Sequence, residues 1–140
     1  MSKSIKEIEE EIVSEFEFFG DDWEGKYEHL IDLGKSLPVI KDEYKTDEAI
    51  IKGCQSRVWL HSEKKDDKIY FTADSDAIIT KGMVALMVRV LSGQNAKDIV
   101  ESKLEFIDEI GLKEHLSPTR ANGLVSMINR MKMDAVNLSR

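Results

Sequence analysis

The strand-forming residues of this chain are concentrated in its middle, between segments that have the periodicity of helices. Apolar and polar residues alternate over 57–62, and residues 69–73 are rich in β-branched and aromatic side chains. A short apolar run at 49–51 adds a third extended segment, and the charged residues 63–68 are predicted to form the turn between the first two. Strands that cluster in this way predict an α+β fold, with a small antiparallel sheet of about three strands packed against N-terminal and C-terminal helices.

Four segments have the apolar spacing of helices, and short helical turns are predicted between 101 and 116. The first helix begins at a capping box formed by Ser4 and Glu7, and the last begins at Ser117 followed by Pro118. The predicted helices span about 5–18, 23–34, 78–91 and 118–138.

Glycines and acidic residues indicate how the inner helices begin, end and pack. Gly34 is predicted to cap the C-terminus of the second helix, and residues 74–76 (Asp-Ser-Asp) are predicted to cap the N-terminus of the third. The third helix is apolar on most sides, which is typical of a central buried helix. Gly82 inside it predicts close packing against another backbone.

The composition limits the classes of partner. The chain has 140 residues, which fits a single domain spanning 1–140. Lysine and arginine total 20 against 27 acidic residues, so the net charge is −7. Nucleic acid and anionic membrane surfaces would repel such a chain. No long apolar span is present, and we expect a cytoplasmic protein with no membrane contact.

Cys54 is the only cysteine of the chain, so neither an internal disulfide nor a cysteine-ligated iron–sulfur cluster is expected. It lies in a polar loop between two predicted strands, with Gly53 before it and Gln55 and Ser56 after it. A free cysteine is most often a small buried hydrophobe. The polar setting favours a reactive thiol instead, because nearby basic residues stabilise a thiolate.

The three histidines do not suggest a hydrolase or a metal site. His29, His61 and His115 are scattered through the sequence and match neither a protease signature nor the short ligand spacings of zinc sites. A single thiol can nevertheless carry one atom, because a thiolate can attack the outer sulfur of another protein's persulfide. Sulfur carriage on Cys54 is therefore one hypothesis for its chemistry.

Residues 53–60 (Gly-Cys-Gln-Ser-Arg-Val-Trp-Leu) resemble the sulfur-acceptor loop of the SufE family. Further stretches agree with this family in the same order along the chain. They are residues 23–27 with 33–38, then 74–82, and then 116–124.

This resemblance implies a fold shared with the IscU/NifU-type scaffold proteins and a role in iron–sulfur cluster assembly. SufE-like proteins take sulfur from a SufS-type cysteine desulfurase, hold it as a persulfide on the loop cysteine, here Cys54, and pass it to the SufBCD scaffold complex. They also stimulate the desulfurase. The pyridoxal phosphate that cleaves the carbon–sulfur bond belongs to the desulfurase, so no cofactor and no metal are expected on this chain.

The resemblance also implies roles for other positions. Asp74 matches an aspartate that influences release of the loop and contact with the desulfurase, with a helix N-cap as the alternative. Arg120 matches an arginine near the partner surface, with an exposed first-turn charge as the alternative. Gly53, Gln55 and Ser56 are expected to shape the loop, with ordinary turn chemistry as the alternative.

Two other classes of function stay open for the sequence. One is a non-catalytic binding module that only activates the desulfurase. The other is a redox-sensing single-cysteine protein, which would form a sulfenic acid with peroxide. The sequence also leaves open which paralogous desulfurase is the partner and whether the chain forms a homodimer.

Overall fold

The computed structural model of the protein describes residues 3–38, 40–53 and 56–139. Cys54 and Gln55 lie outside these ranges, so the roles proposed for their side chains stay predictions. Short 3-10 helices occur at Asp42–Tyr44, Asp47–Ala49 and Lys113–His115. The main elements are α1 (Ile5–Glu17), α2 (Trp23–Lys35), β1 (Val58–Lys65), β2 (Lys68–Ser75), α3 (Ile78–Leu91), β3 (Gln94–Asn95), α4 (Ala96–Glu101), α5 (Phe106–Glu109) and α6 (Pro118–Leu138).

The three strands form one antiparallel sheet in the order β1-β2-β3, and the predicted α+β class is confirmed. The prediction of a six-residue turn at 63–68 is wrong, because the hairpin turn consists of Asp66 and Asp67 alone. Both residues have positive φ, of 52° and 65°, as a two-residue type I′ turn requires. The strands therefore run further into the charged segment than the composition of that segment suggests.

The third strand is also not the predicted one. Ile50 forms only an isolated bridge with Trp59, and the edge strand on the other side of β2 is Gln94–Asn95. Gly93, with φ +84°, turns the chain after α3 so that its N–H donates to the carbonyl of Ile69 at 2.7 Å. A two-residue polar strand that forms only through this tertiary contact leaves no periodic pattern in the sequence.

Helix α3 lies at the centre of the fold, and it packs against β2 and against the helices α2, α1 and α6. Gly82 is packed against the backbone of α2, where an added Cβ would lie 2.9 Å from the carbonyl carbon of Leu30. The predicted close packing at Gly82 is therefore confirmed. Gly34 does not cap α2, which continues to Lys35 and is capped by Ser36. A Cβ added to Gly34 would lie 2.9 Å from the backbone nitrogen of Gly82, so both glycines belong to the same close contact between α2 and α3.

Local capping signals mark the outer helices as predicted. The Ser4–Glu7 capping box begins α1, and Ser117 accepts a hydrogen bond from the N–H of Arg120 at the start of α6. Among the residues that the structure describes, no helix combines the length and apolar character that a membrane crossing needs.

Candidate functional site

The loop that carries Cys54 leaves and re-enters the fold at a closed base. Ile51 and Val58 are both buried, and the N–H of Ile51 donates to the carbonyl of Val58 at 2.9 Å. Six residues, 52–57, separate Ile51 from Val58 in the chain, and the structure describes residues 52, 53, 56 and 57 of this segment. The base fixes both ends of the loop in space, which is the usual way for a rigid scaffold to present a reactive side chain.

Gly53 brings the first half of the loop against helix α6. Its φ is +95°, which side-chain-bearing residues rarely adopt, and an added Cβ would lie 2.5 Å from Oγ and 3.2 Å from Cβ of Ser126. The glycine that precedes the cysteine is therefore favoured by its backbone conformation, and it lies close against the side chain of Ser126. The predicted loop-shaping role of Gly53 has a physical basis in this contact, which joins positions 73 residues apart in the chain.

Arg57 anchors the second half of the loop to the end of β2. Its N–H donates to Oδ1 of Asp76 at 3.0 Å, and its carbonyl accepts from the hydroxyl of Ser75 at 2.9 Å and from the N–H of Asp76 at 3.3 Å. The N–H and the carbonyl of Arg57 are thus both hydrogen-bonded to residues at the junction of β2 and α3. This anchor was missed in the sequence, because only the pairing of β1 with β2 brings positions 57 and 76 together.

Asp74 lies inside β2, opposite Trp59. Its carboxylate pairs with Lys45 at 3.0 Å and with Lys81 at 3.3 Å, and it accepts a hydrogen bond from the N–H of Ser75 at 2.8 Å. Burial alone would raise the pKa of Asp74, but these hydrogen bonds together outweigh it and hold the pKa below its ordinary value.

The prediction that residues 74–76 cap α3 is wrong. The N-cap is Ala77, and it makes no side-chain capping hydrogen bond. Most polar groups of the Asp-Ser-Asp sequence bind other segments: Asp74 pairs with two lysines, and Ser75 and Asp76 bind Arg57. The Oγ of Ser75 also accepts a hydrogen bond from the N–H of Ala77 at 3.3 Å, but Ala77 itself is the N-cap. Among the described residues, Asp76 contacts the thiol loop through the N–H of Arg57, and a role of Asp74 in loop release stays a prediction.

The ion pairs of Asp74 predict a specific acid sensitivity. Because the folded-state pKa lies below the unfolded value of about 3.9, the stabilisation is complete above that value and is lost as the pH falls through the folded pKa. We expect Asp74→Asn to be less stable than the wild type by about 1–2 kcal/mol at neutral pH, and we expect this difference to shrink as the pH falls through the folded-state pKa of Asp74. Urea denaturation at a series of pH values measures this difference.

Asp67→Asn is the matched control for this titration. Asp67 is exposed on the hairpin turn, 3.8 Å from Lys64, and asparagine tolerates its positive φ equally well. Its unfolding free energy should follow that of the wild type at every pH. Parallel curves for Asp74→Asn and the wild type would contradict the prediction.

Arg120 lies at the same end of the molecule as the thiol loop. Ser126 of α6 contacts Gly53, and Asp134, two turns further on, accepts a hydrogen bond from Ser62 of β1 at 2.8 Å. Helix α6 therefore runs from the loop along β1, and Arg120 lies about 9 Å before Ser126 along the axis. It is exposed, and within the described residues its guanidinium has no hydrogen-bond or ion-pair partner. Its contact with a partner stays a prediction.

The histidines have structural partners away from the loop. His29 lies 3.1 Å from Glu15, His61 is stacked on Tyr44 and His115 is stacked on Trp23. In the ranges that the structure describes, no group of three or more His, Cys, Asp or Glu side chains is arranged to hold a metal ion. What the site offers to a partner is the loop of residues 52–57, which is anchored on both sides.

Comparisons with known proteins agree with this arrangement. The family model "SufE: Fe-S metabolism associated domain" matches residues 10–135. An uncharacterized SufE-like protein of Rhizobium meliloti is 41% identical over 131 residues, which cover 90% of this chain and 93% of the relative. The sulfur acceptor protein CsdE of Escherichia coli is 39% identical over 104 residues, which cover 73% of this chain and 71% of CsdE.

A solved structure supports the fold. The solution structure of a hypothetical protein from Thermus thermophilus superimposes with a TM-score of 0.78 and covers 94% of this chain and 95% of its own. Its sequence identity is only 17%, so this likeness concerns the fold alone.

Proposed function

Because the chain belongs to the SufE family, we propose that it is a sulfur acceptor that carries sulfur as a persulfide on Cys54. The observation that carries the proposal is the position of the only cysteine of the chain. In the sequence it lies between Gly53, which is packed against Ser126, and Arg57, whose N–H donates to Asp76. The relative CsdE, named as a sulfur acceptor protein, supports the same role.

The transfer is a thiol–disulfide-type exchange at sulfur. The thiolate of Cys54 attacks the outer sulfur of the donor's cysteine persulfide. A new sulfur–sulfur bond forms on Cys54, the sulfur–sulfur bond of the donor breaks, and the donor cysteine leaves as a thiolate. Cys54 has released its proton to solvent beforehand, and the departing thiolate takes one up, so no external oxidant or reductant is consumed.

The donor in this proposal is a SufS-type cysteine desulfurase, whose pyridoxal phosphate supplies the cleavage of the carbon–sulfur bond of cysteine. The chain itself needs no cofactor. Its persulfide is delivered to the SufBCD scaffold complex for iron–sulfur cluster assembly, and removal of sulfur from the desulfurase raises the turnover of that enzyme. We expect the exchange to occur in the cytoplasm, where cellular reductants keep an unloaded thiol reduced.

Intact-mass spectrometry tests the proposal directly. The wild-type chain is incubated with a desulfurase and cysteine, and each candidate desulfurase is tried in turn. The expected result is a mass increase of one sulfur atom that disappears on treatment with a reductant. Absence of this increase with every desulfurase of the organism would refute a carrier function.

Asp76 has a predicted part in this function because it holds the second half of the thiol loop. Replacement of Asp76 by alanine removes the acceptor for the N–H of Arg57. We expect hydrogen exchange of the Arg57 amide to accelerate by roughly tenfold, which corresponds to the loss of a hydrogen bond to a charged group worth about 1.4 kcal/mol. Amide exchange followed by NMR measures it.

Asp74→Ala is the control, since the described partners of Asp74 are Lys45, Lys81 and the N–H of Ser75, and not Arg57. Exchange of the Arg57 amide should be unchanged in this variant. An equal acceleration in both variants, or none in Asp76→Ala, would show that Asp76 is not the anchor.

A further inference from the structure

A groove runs beside the thiol loop, between residues 47–52 and helix α6. Its volume is about 760 Å³, in the range of pockets that bury a ligand or a side chain. Ile50 and Met133 provide apolar walls, while Lys52 and Asn129 lie at its polar rim. Met133 is 58% exposed, so its apolar surface is accessible to a partner that enters the groove.

Both ends of the groove are fixed by contacts between its walls. At one end the guanidinium of Arg130 donates to the carbonyl of Glu48 at 3.1 Å and to the carboxylate of Asp134 at 3.1 Å. At the other end the backbone of Gly53 lies against Ser126. The groove is therefore preformed, and a partner would not have to order its walls on binding.

The groove adjoins the one place that a sulfur donor must reach. Transfer requires the donor's persulfide to meet Cys54, which is the residue next to Gly53. A protein–protein interface of ordinary size covers about 800 Å² on each partner, a patch roughly 30 Å across. Met133 lies seven residues after Ser126 along α6, or about 10 Å. An interface centred on the thiol loop therefore extends over the groove.

We propose that this groove receives an apolar side chain of the cysteine desulfurase and so orients the enzyme over the thiol loop. This inference rests on the proposed function. A second copy of the chain is a poorer occupant, because it would cover the loop that the donor must reach. Like charge opposes it too, since each copy carries a net charge of −7.

Met133→Glu tests the proposal by placing a charge in the apolar wall. Stimulation of desulfurase turnover is measured at increasing concentrations of the chain. We expect the half-saturating concentration to rise roughly tenfold, as for the loss of an apolar anchor, with an unchanged maximal rate. Met133→Leu should retain the wild-type value, because it keeps the apolar volume.

Phe18→Glu is the matched control. Phe18 is 85% exposed at the C-terminal end of α1, and it does not line the groove. The half-saturating concentration of Phe18→Glu should stay within twofold of the wild type. Thermal unfolding and the alkylation rate of Cys54 should be unchanged in both glutamate variants, which excludes misfolding and a damaged thiol.

The outcomes separate this inference from the proposed function. If the wild type accepts sulfur but Met133→Glu saturates at the wild-type concentration, the groove is not a desulfurase contact. If sedimentation shows a wild-type dimer that Met133→Glu dissociates, the occupant is a second copy and the proposal is overturned. If the wild type accepts no sulfur from any desulfurase, the proposed function itself fails.

Discussion

Replacement of Cys54 by serine is expected to abolish sulfur acceptance completely while the chain stays folded. A serine hydroxyl has no thiolate to attack a persulfide, so the mass increase of one sulfur atom should vanish. The fold should persist because the loop is held by other groups. Its base is the hydrogen bond between Ile51 and Val58, and its flanks are held at Gly53 and Arg57. Intact-mass spectrometry of the wild type and of Cys54→Ser measures sulfur acceptance, and thermal unfolding of the same two proteins measures whether the fold persists.

The same variant separates a sulfur carrier from a simple activator. A carrier must remove sulfur from the desulfurase to raise its turnover, so Cys54→Ser should also fail to stimulate the enzyme. If Cys54→Ser stimulated as well as the wild type, the chain would be a binding module whose cysteine is incidental. Wild-type protein alkylated at Cys54 provides an independent check, since this cysteine is the only thiol in the chain.

A redox sensor would behave differently in a third assay. Such a protein would form a sulfenic acid on Cys54 with dilute peroxide in the absence of any desulfurase. Rapid peroxide oxidation, combined with no mass increase from desulfurase and cysteine, would favour that function over sulfur transfer.

The elements that could be predicted from the sequence are those whose cause is local. Ser4 with Glu7, and Ser117 with Pro118, specify helix starts within four residues of chain, and the structure places caps at both. Alternation over residues 57–62 predicts β1 because a half-buried strand must turn every second side chain inward.

The incorrect predictions concern residues whose contacts are made with segments distant in the sequence. Gly34 has the appearance of a C-cap, but its lack of a side chain serves the contact with Gly82, 48 residues away. The polar residues 74–76 have the composition of an N-cap, but Asp74 pairs with two lysines and Asp76 accepts a hydrogen bond from the N–H of Arg57. Local propensity is a weak prior wherever such tertiary partners are available.

The same distinction between local and tertiary causes applies to the candidate site. The thiol and the glycine before it are visible in the sequence, because a lone cysteine after a glycine in a polar loop is unusual for a core residue. Ser126, Asp76 and the groove beside Met133 are not visible, since each depends on which elements pack next to the loop. Sequence patterns predict the reactive group, and only the fold shows which residues contact the two flanks of its loop.

We expect the free energy of unfolding to be strongly sensitive to substitutions at the close contact between α2 and α3, where Gly34 and Gly82 meet. Gly82→Ala would place a methyl group 2.7 Å from Cγ and 2.9 Å from the carbonyl carbon of Leu30. The backbone of α2 cannot rotate away, so the two helices must separate. We expect a loss of about 3 kcal/mol in the free energy of unfolding, which exceeds the gain of about 1 kcal/mol from the better helix propensity of alanine. The melting temperature should fall by roughly 10 °C.

Gly25→Ala in the same pair of helices separates this packing effect from helix propensity. Its added methyl group would meet atoms of Phe19 and Asp22 at 2.7 and 2.8 Å, but these belong to side chains that can rotate. We expect its unfolding free energy to stay within about 1 kcal/mol of the wild type. Gly34→Ala should resemble Gly82→Ala, because its methyl group would press on the backbone of Lys81 and Gly82. If Gly82→Ala were as stable as Gly25→Ala, the close contact of α2 and α3 would not be a determinant of this fold.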